Sequence, residues 1–341
     1  MTKTRLDKFL AQKYPQFSRS VWQKIIKKGL VLVDQKPVEP GLLLKEDGQI
    51  KIDWLDIKKP QGVDLNQKSD IILKVIFENQ DFLIIEKPAG IVTHPTKIGQ
   101  KNTLVNIILD RYPEIKKVGD DPLRPGIVHR LDKDVSGLMV AARTQAMYEH
   151  LVKQFKENIR VQKFGCAYSD RTRSLKATES RLFGYIKKEY LALVYGQPPA
   201  ESDRISLPIA QVRGSLKRVA ITSPRSKKIK KEKEAITEYQ VIKKFAGYTL
   251  LKIKTLTGRT HQIRVHLKAI GCPIVGDRYY KFKMKNALVR PSDGSRKKLK
   301  IDSGRIFLHA NYLGFYDLEG QWREFKSGLP RELNNFLKNL N

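Results

Sequence analysis

Residues 129–137 read HRLDKDVSG and run into the apolar stretch Leu138-Met139-Val140-Ala141-Ala142. This places one carboxylate, Asp132, in a loop between Arg130 and Lys133, just ahead of a candidate buried strand. Nearby positive charge favours the ionised form of a carboxyl group. A positioned carboxylate can then act as a nucleophile or as a general base. Taken alone, the same string also fits a charged turn before a strand.

A cationic partner for such an acid is best sought in residues 257–271, TGRTHQIRVHLKAIG. The pattern predicts a helix opening at Thr260 and stopping at Gly271, with Pro273 just beyond. Ile263, Leu267 and Ile270 fall on a buried stripe, and His261, Arg264 and Lys268 share a neighbouring face. A helix N-terminus with this basic face suits a phosphate or a carboxylate. His261 and His266 are five apart, point to different faces and have no acidic or cysteine partner in place, so a metal site is not expected. An aromatic candidate is Tyr190, on the predicted strand KKEYLALVYG of residues 187–196.

These strings resemble, in order, the motifs of the RluA-type RNA pseudouridine synthases. The resemblance extends to EKPAGIVTHP (86–95), LRPGIVHRLD (123–132), GDRYY (276–280) and RIFLHA (305–310), and spans roughly residues 70–330. It implies that Asp132 is the catalytic nucleophile, that Arg264 pairs with it, and that Tyr190 packs against the target base. It also implies that Arg130 fills the gap left when the uridine leaves the RNA stack. His129 is expected to fix the loop by hydrogen bonding, and it joins Arg259, His261 and Lys268 in the expected RNA-binding set. The implied reaction breaks the glycosidic bond of uridine, turns the uracil and rejoins it through carbon 5. It calls for a carboxylate, a cation and a pocket for a flipped base, and for no cofactor. The implied fold is α+β, a mixed and mostly antiparallel sheet flanked by helices and loops.

The elements that hold these residues follow from periodicity. Residues 75–77 and 82–85 read as paired strands, residues 144–156 as a helix with Met147, Leu151 and Phe155 inward, and residues 190–195 and 249–253 as strands. Residues 58–69 form a polar linker. Residues 164–184 read as an insertion of roughly 20 residues in the resembled pattern, a surface hairpin or loop. The Lys-rich run 225–233 either reaches RNA phosphates or is a solvated loop.

Ahead of the linker, residues 1–57 form a separate small α/β module. Leu6, Phe9 and Leu10 mark one helix face. Ser18 is a candidate N-cap for a second helix, with Val21, Ile25 and Ile26 inward and Gly29 as its stop. Val31, Val33 and Val38 flank a tight connection at Asp34-Gln35. Lys8, Arg19, Lys24, Lys27 and Lys28 are expected on exposed faces suited to nucleic acid. The pattern resembles the alpha-L RNA-binding module. That module more often carries Asn-Gly where this chain has Asp34-Gln35, so a different turn is expected there.

Composition agrees with an RNA partner. The 341 residues carry 66 Lys+Arg against 35 Asp+Glu, a formal charge of +31. Such a surplus repels itself unless a polyanion is bound, and phosphate neutralisation drives that binding by counterion release. No apolar run approaches the ~18 residues of a membrane span. Two cysteines, Cys166 and Cys272, make neither a disulfide framework nor a metal cluster. A cytoplasmic monomer acting on RNA, without membrane or DNA partners, is the expectation. Gly-x-Gly is absent, which argues against a methyltransferase cofactor turn. The expected function is uridine isomerisation in structured RNA, large-subunit ribosomal RNA foremost. Transfer RNA as substrate, or a non-catalytic RNA-binding factor, are the alternatives.

Overall fold

The computed structural model describes residues 4–14, 17, 19–44, 49–54, 71–95, 102–164, 186–212, 218–220, 232–281 and 305–340. Ser18, the linker at 58–69, nearly all of the 164–184 insertion and residues 225–231 lie outside the described residues. The chain divides into an N-terminal unit of residues 1–67 with residues 95–101 and a larger unit of residues 68–94 and 102–341.

In the N-terminal unit, α1 (Leu6–Lys13) and α2 (Arg19–Lys27) precede a small sheet of β1 (Val31–Val33), β2 (Lys36–Pro37) and β3 (Ile50–Ile52) in the order β2-β1-β3. The spacing of Leu6 and Leu10 on α1 and of Trp22 and Ile26 on α2 puts each pair on one helix face, and all four are buried with Val31. Burying one such side chain is worth about 1.5–3 kcal/mol. Gly29, at φ +77°, ends α2.

The β1–β2 connection corrects the sequence expectation. Asp34 and Gln35 both adopt positive φ, at 49° and 62°. That is the backbone Asn-Gly would prefer, and not a different turn. A two-residue hairpin loop must match the right-handed twist of its strands, which selects this geometry regardless of residue. Asp34 Oδ1 accepts a hydrogen bond from Gln49 N at 2.9 Å, anchoring the strained corner.

The basic helix faces are as expected, with Lys8, Lys24, Lys27 and Lys28 exposed. Arg19 is different, because its Nε lies 3.2 Å from the buried Asp7 carboxylate. Arg5 and Gln23 also donate to Asp7. Burial pushes the Asp7 carboxyl up, yet these hydrogen bonds hold it well below the usual carboxylate range. Arg19 therefore ties α2 to α1 as well as facing solvent.

The larger unit begins with β4 (Lys74–Glu78), β5 (Phe82–Lys87), α3 (Leu104–Arg111), β6 (Ser136–Ala142) and α4 (Gln145–Phe164). It continues with β7 (Lys187–Tyr195), β8 (Ser202–Ile205), β9 (Ile209–Gln211), β10 (Arg218–Ala220), β11 (Thr237–Phe245) and β12 (Tyr248–Thr255). Then come α5 (Gln262–Ala269), β13 (Leu308–Tyr316), β14 (Trp322–Lys326) and α6 (Arg331–Lys338). Among the described residues, nine strands form one sheet in the order β4-β5-β6-β13-β7-β12-β11-β8, with β14 also on β13. Only β6 and β13 run parallel among its described pairings. The sheet is thus mixed and mostly antiparallel, as expected.

Strand β6 is buried at all seven positions. Its continuous apolar run, without alternation, is what a strand covered on both faces requires. Gly137 at φ +125° is obligatory there, because a Cβ would stand 2.3 Å from Ala310 O on β13. The loop carrying Asp132 therefore enters the middle of the sheet.

Candidate active site

The loop carrying Asp132 is fixed from several sides before its carboxylate meets any partner. Leu131 and Val135 are buried. The fully buried Lys87 donates to the carbonyls of Pro88, Ile91 and Lys133 at 2.9, 2.8 and 3.1 Å. Thr93 Oγ1 donates to Leu131 O at 2.9 Å, and Gly90 N to Lys133 O at 2.8 Å. At the far end, Ser136 Oγ pairs with His309 Nδ1 at 2.9 Å, joining β6 to β13. His129 Nε2 accepts from Val140 N at 3.0 Å, and its ring stacks on Phe155 at 5.2 Å. Burial lowers the His129 imidazole to about 3, so the ring is neutral and serves the loop as an acceptor.

Helix α5 departs from the sequence expectation at its start and on its faces. It opens at Gln262, not Thr260, because His261 occupies the left-handed region at φ 58° and forms its N-cap. The expected basic face is split. Of His261, Arg264 and Lys268, Lys268 is exposed, His261 is half-buried and Arg264 is buried. The reason is Gln262, whose Oε1 accepts from Thr257 Oγ1 and Arg259 N while its Nε2 donates to Ile236 O and Thr237 Oγ1. That network pulls the first turn against β11. His266 bonds Thr237 and Leu207 O at 2.9 Å each, a structural role. No cluster of three metal-ligating side chains occurs among the described residues.

Arg264 is the centre of the site. Its Nε and Nη2 donate to Asp277 Oδ2 and Oδ1, both at 2.7 Å, and its Nη1 donates to Asp132 Oδ2 at 3.1 Å. The guanidinium also lies 5.3 and 5.2 Å from the rings of Tyr279 and Tyr280. Burial would lower its pKa, and Asp277 and Asp132 raise it, so the charge persists. His261 Nε2 stands 3.8 Å from Asp132 Oδ2, with its Nδ1 at 3.0 Å from Tyr280 OH. Burial holds the imidazole below its ordinary range despite the pull of Asp132.

Tyr190, on β7, lines the same cavity as Asp132 and Arg264, together with Arg130, Lys188 and Arg259. The cavity holds about 90 Å³. Burial pushes the Tyr190 hydroxyl up to about 12, so it can hydrogen-bond but not ionise near neutrality. Arg130 is exposed at the cavity mouth. Arg259 is half-buried and donates its Nε to Glu234 O at 2.9 Å. A wider groove of about 430 Å³ over Arg204, Glu238, Lys252 and Lys254 mixes both charges and contains none of these groups.

Two neighbours were not singled out in the sequence. Asp277 was visible only as part of GDRYY, and Lys188 only as the residue two before Tyr190, on the same strand face. Chemically, the arrangement offers a carboxylate in contact with a fixed cation, beside an aromatic wall, in a pocket for one small planar group.

The family profile described as RNA pseudouridylate synthase matches residues 81–269, more than half of the chain and the whole Asp132–Arg264 segment. The chain belongs to the RNA pseudouridine synthase family. An S4 domain profile matches residues 4–50 of this synthase, where the sequence resembles the alpha-L RNA-binding module. An RNA pseudouridine synthase of Aquifex aeolicus is 37% identical over 96% of this chain and 90% of its own length. One from Chloroflexus aurantiacus is 36% identical over 99% and 90%. The ribosomal large subunit pseudouridine synthase D of Yersinia pestis is 33% identical over 98% and 90%. The synthase is thus an enzyme with RNA as its partner. No described helix is long and apolar enough to cross a membrane.

Proposed function

We propose that this synthase converts uridine to pseudouridine in large-subunit ribosomal RNA, with Asp132 as nucleophile on a uridine flipped out of its helix. The observation that carries this reading is the 3.1 Å hydrogen bond from Arg264 to Asp132 beside Tyr190 in one small cavity. Relatives named ribosomal large subunit pseudouridine synthase D favour that RNA over transfer RNA.

In the reaction, a carboxylate oxygen of Asp132 bonds to C1′ as the N1–C1′ bond breaks, and the uracil takes the electron pair. The uracil turns within the pocket, and C5 attacks C1′, releasing the Asp132 carboxylate. C5 then loses its proton and N1 carries one, so the product is an isomer of the substrate. Arg264 keeps the carboxylate oriented, and Tyr190 supports the base by stacking, worth about 1–3 kcal/mol. Arg130 replaces the missing base in the RNA stack. Its planar guanidinium can both stack and donate hydrogen bonds there, which lysine cannot.

The test is to map pseudouridine in RNA from cells lacking this protein and to add back wild type or Asp132→Asn. One or more large-subunit positions should lose the modification and regain it only with wild type. Purified Asp132→Asn should still bind the RNA. Losses confined to transfer RNA would move the substrate, and product formed by Asp132→Asn would remove the nucleophile assignment.

A further inference from the structure

A second cavity, of about 280 Å³, adjoins the Asp132 cavity. Arg130, Lys188, Thr257, Gly258 and Arg259 line both, so the two share a wall. Ligand pockets begin near about 300 Å³, so the second space suits a single nucleotide. Its lining is one-sided in charge. Arg124, Arg130, Lys188 and Arg259 contribute cations, and no carboxylate lines it among the described residues. Asp121 pairs with Arg124 from outside that lining.

Two groups in the wall are left in costly states. His94 is only 8% exposed, and its Nδ1 is buried without a hydrogen-bond partner among the described residues. Burial, with Arg130 and Arg124 nearby, lowers the imidazole to about 4, so the ring is neutral. Lys188 is lowered to about 8 by burial, and its Nζ lies 5.3 Å over the Phe155 ring. A buried polar atom without a partner and a desolvated ammonium both raise the free energy of the empty site. Ile127, Val128, Leu256 and Phe155 give the wall its apolar part, next to His129.

We infer that this second cavity binds the nucleotide adjacent to the target uridine. Its phosphate lies among Lys188, Arg124 and Arg259, and its base lies against Phe155 and His94. The shared wall then separates two consecutive nucleotides drawn from the RNA, one for chemistry and one as an anchor. This rests on the reading that the Asp132 cavity receives a uridine.

The test uses the full chain with Asp132→Asn, which binds without turnover, and a ribosomal RNA fragment containing the mapped uridine. Adding Lys188→Met should weaken binding about tenfold and lower the slope of log affinity against log salt by about one, as loss of one phosphate contact requires. Lys188→Arg should restore the slope. Adding His94→Leu should weaken binding without changing the slope. An abasic substitution next to the uridine should cost the parent about tenfold and cost the His94→Leu protein nothing further. Unchanged affinity in both variants, or losses that simply add to the abasic effect, would overturn the inference. Circular dichroism checks that each variant is folded. If the wild-type protein modifies no uridine at all, the functional reading fails and this inference falls with it, an outcome distinct from unchanged affinity in an active protein.

Discussion

Asp277 occupies both ends of the Arg264 fork at 2.7 Å, and this leaves one nitrogen of the guanidinium aimed at Asp132. A bidentate carboxylate fixes an arginine in plane as well as in place. Arg264→Lys supplies one point charge and cannot hold both acids. Its turnover should fall by at least about a hundredfold, the order expected when a reacting group moves by an ångström. RNA affinity should change little. Asp277→Ala should instead lower stability by about 3–5 kcal/mol, since it leaves a buried charge half-paired. Urea unfolding separates the two results, and an Asp277→Ala protein as stable as wild type would contradict the ion-pair account.

Tyr190 is assigned to packing and not to proton transfer, because burial holds its hydroxyl near 12. Tyr190→Phe keeps the ring and should retain turnover within about threefold. Tyr190→Ala removes the wall and should lose about 5- to 150-fold, the equivalent of 1–3 kcal/mol of stacking. Single-turnover pseudouridine formation distinguishes these outcomes. A Phe variant as inactive as the Ala variant would give the hydroxyl a direct role.

Asp7 makes the N-terminal unit sensitive to acid. Its pKa is depressed in the folded state, so its stabilising contribution is present above the unfolded carboxylate range and disappears as pH falls through the folded value. Trp22 is buried in this unit and reports on it. In a Trp322→Phe background, the fluorescence-detected denaturation midpoint should drop between about pH 5 and pH 2. Asp7→Asn should be less stable at pH 7 and show a flatter profile. A midpoint indifferent to both pH and Asp7→Asn would refute the network.

Lys24, Lys27 and Lys28 are exposed on and just after α2, whereas Arg19 is tied to Asp7. Replacing the three lysines by Gln should weaken RNA binding uniformly and lower the salt slope by about 2–3, with turnover at saturating RNA preserved. Arg19→Gln should also lower the stability of the N-terminal unit. Filter binding across a salt series checks the first effect, and Trp22 fluorescence checks the second.

The loop acid, the strand tyrosine and the buried strand after HRLD were legible because each depends on residues within a few positions of each other. So was the arginine of GRTHQIR, through its resemblance to a known motif. The partnership of Arg264 with Asp277 was not, because it closes over 13 residues without regular periodicity. Helix α5 starts two residues after Thr260 because a left-handed His261 and a side-chain network from Gln262 override the Thr260 signal. The Asp34-Gln35 turn departs from its local signal for a related reason, since strand twist outweighs the preference of the two residues.

Local patterning and net charge therefore indicated a positioned loop acid and a polyanionic partner, while the kind of enzyme and the role expected of Asp132 came from the ordered motifs that resemble a known family. Folding alone decided that Asp277 clamps Arg264, that His266 is buried against Thr237 and Leu207 O, and that a second basic cavity shares a wall with the first. Pattern reading senses neighbours along the chain, whereas pairing energies and desolvation depend on groups such as Asp132 and Arg264, brought together from 132 residues apart.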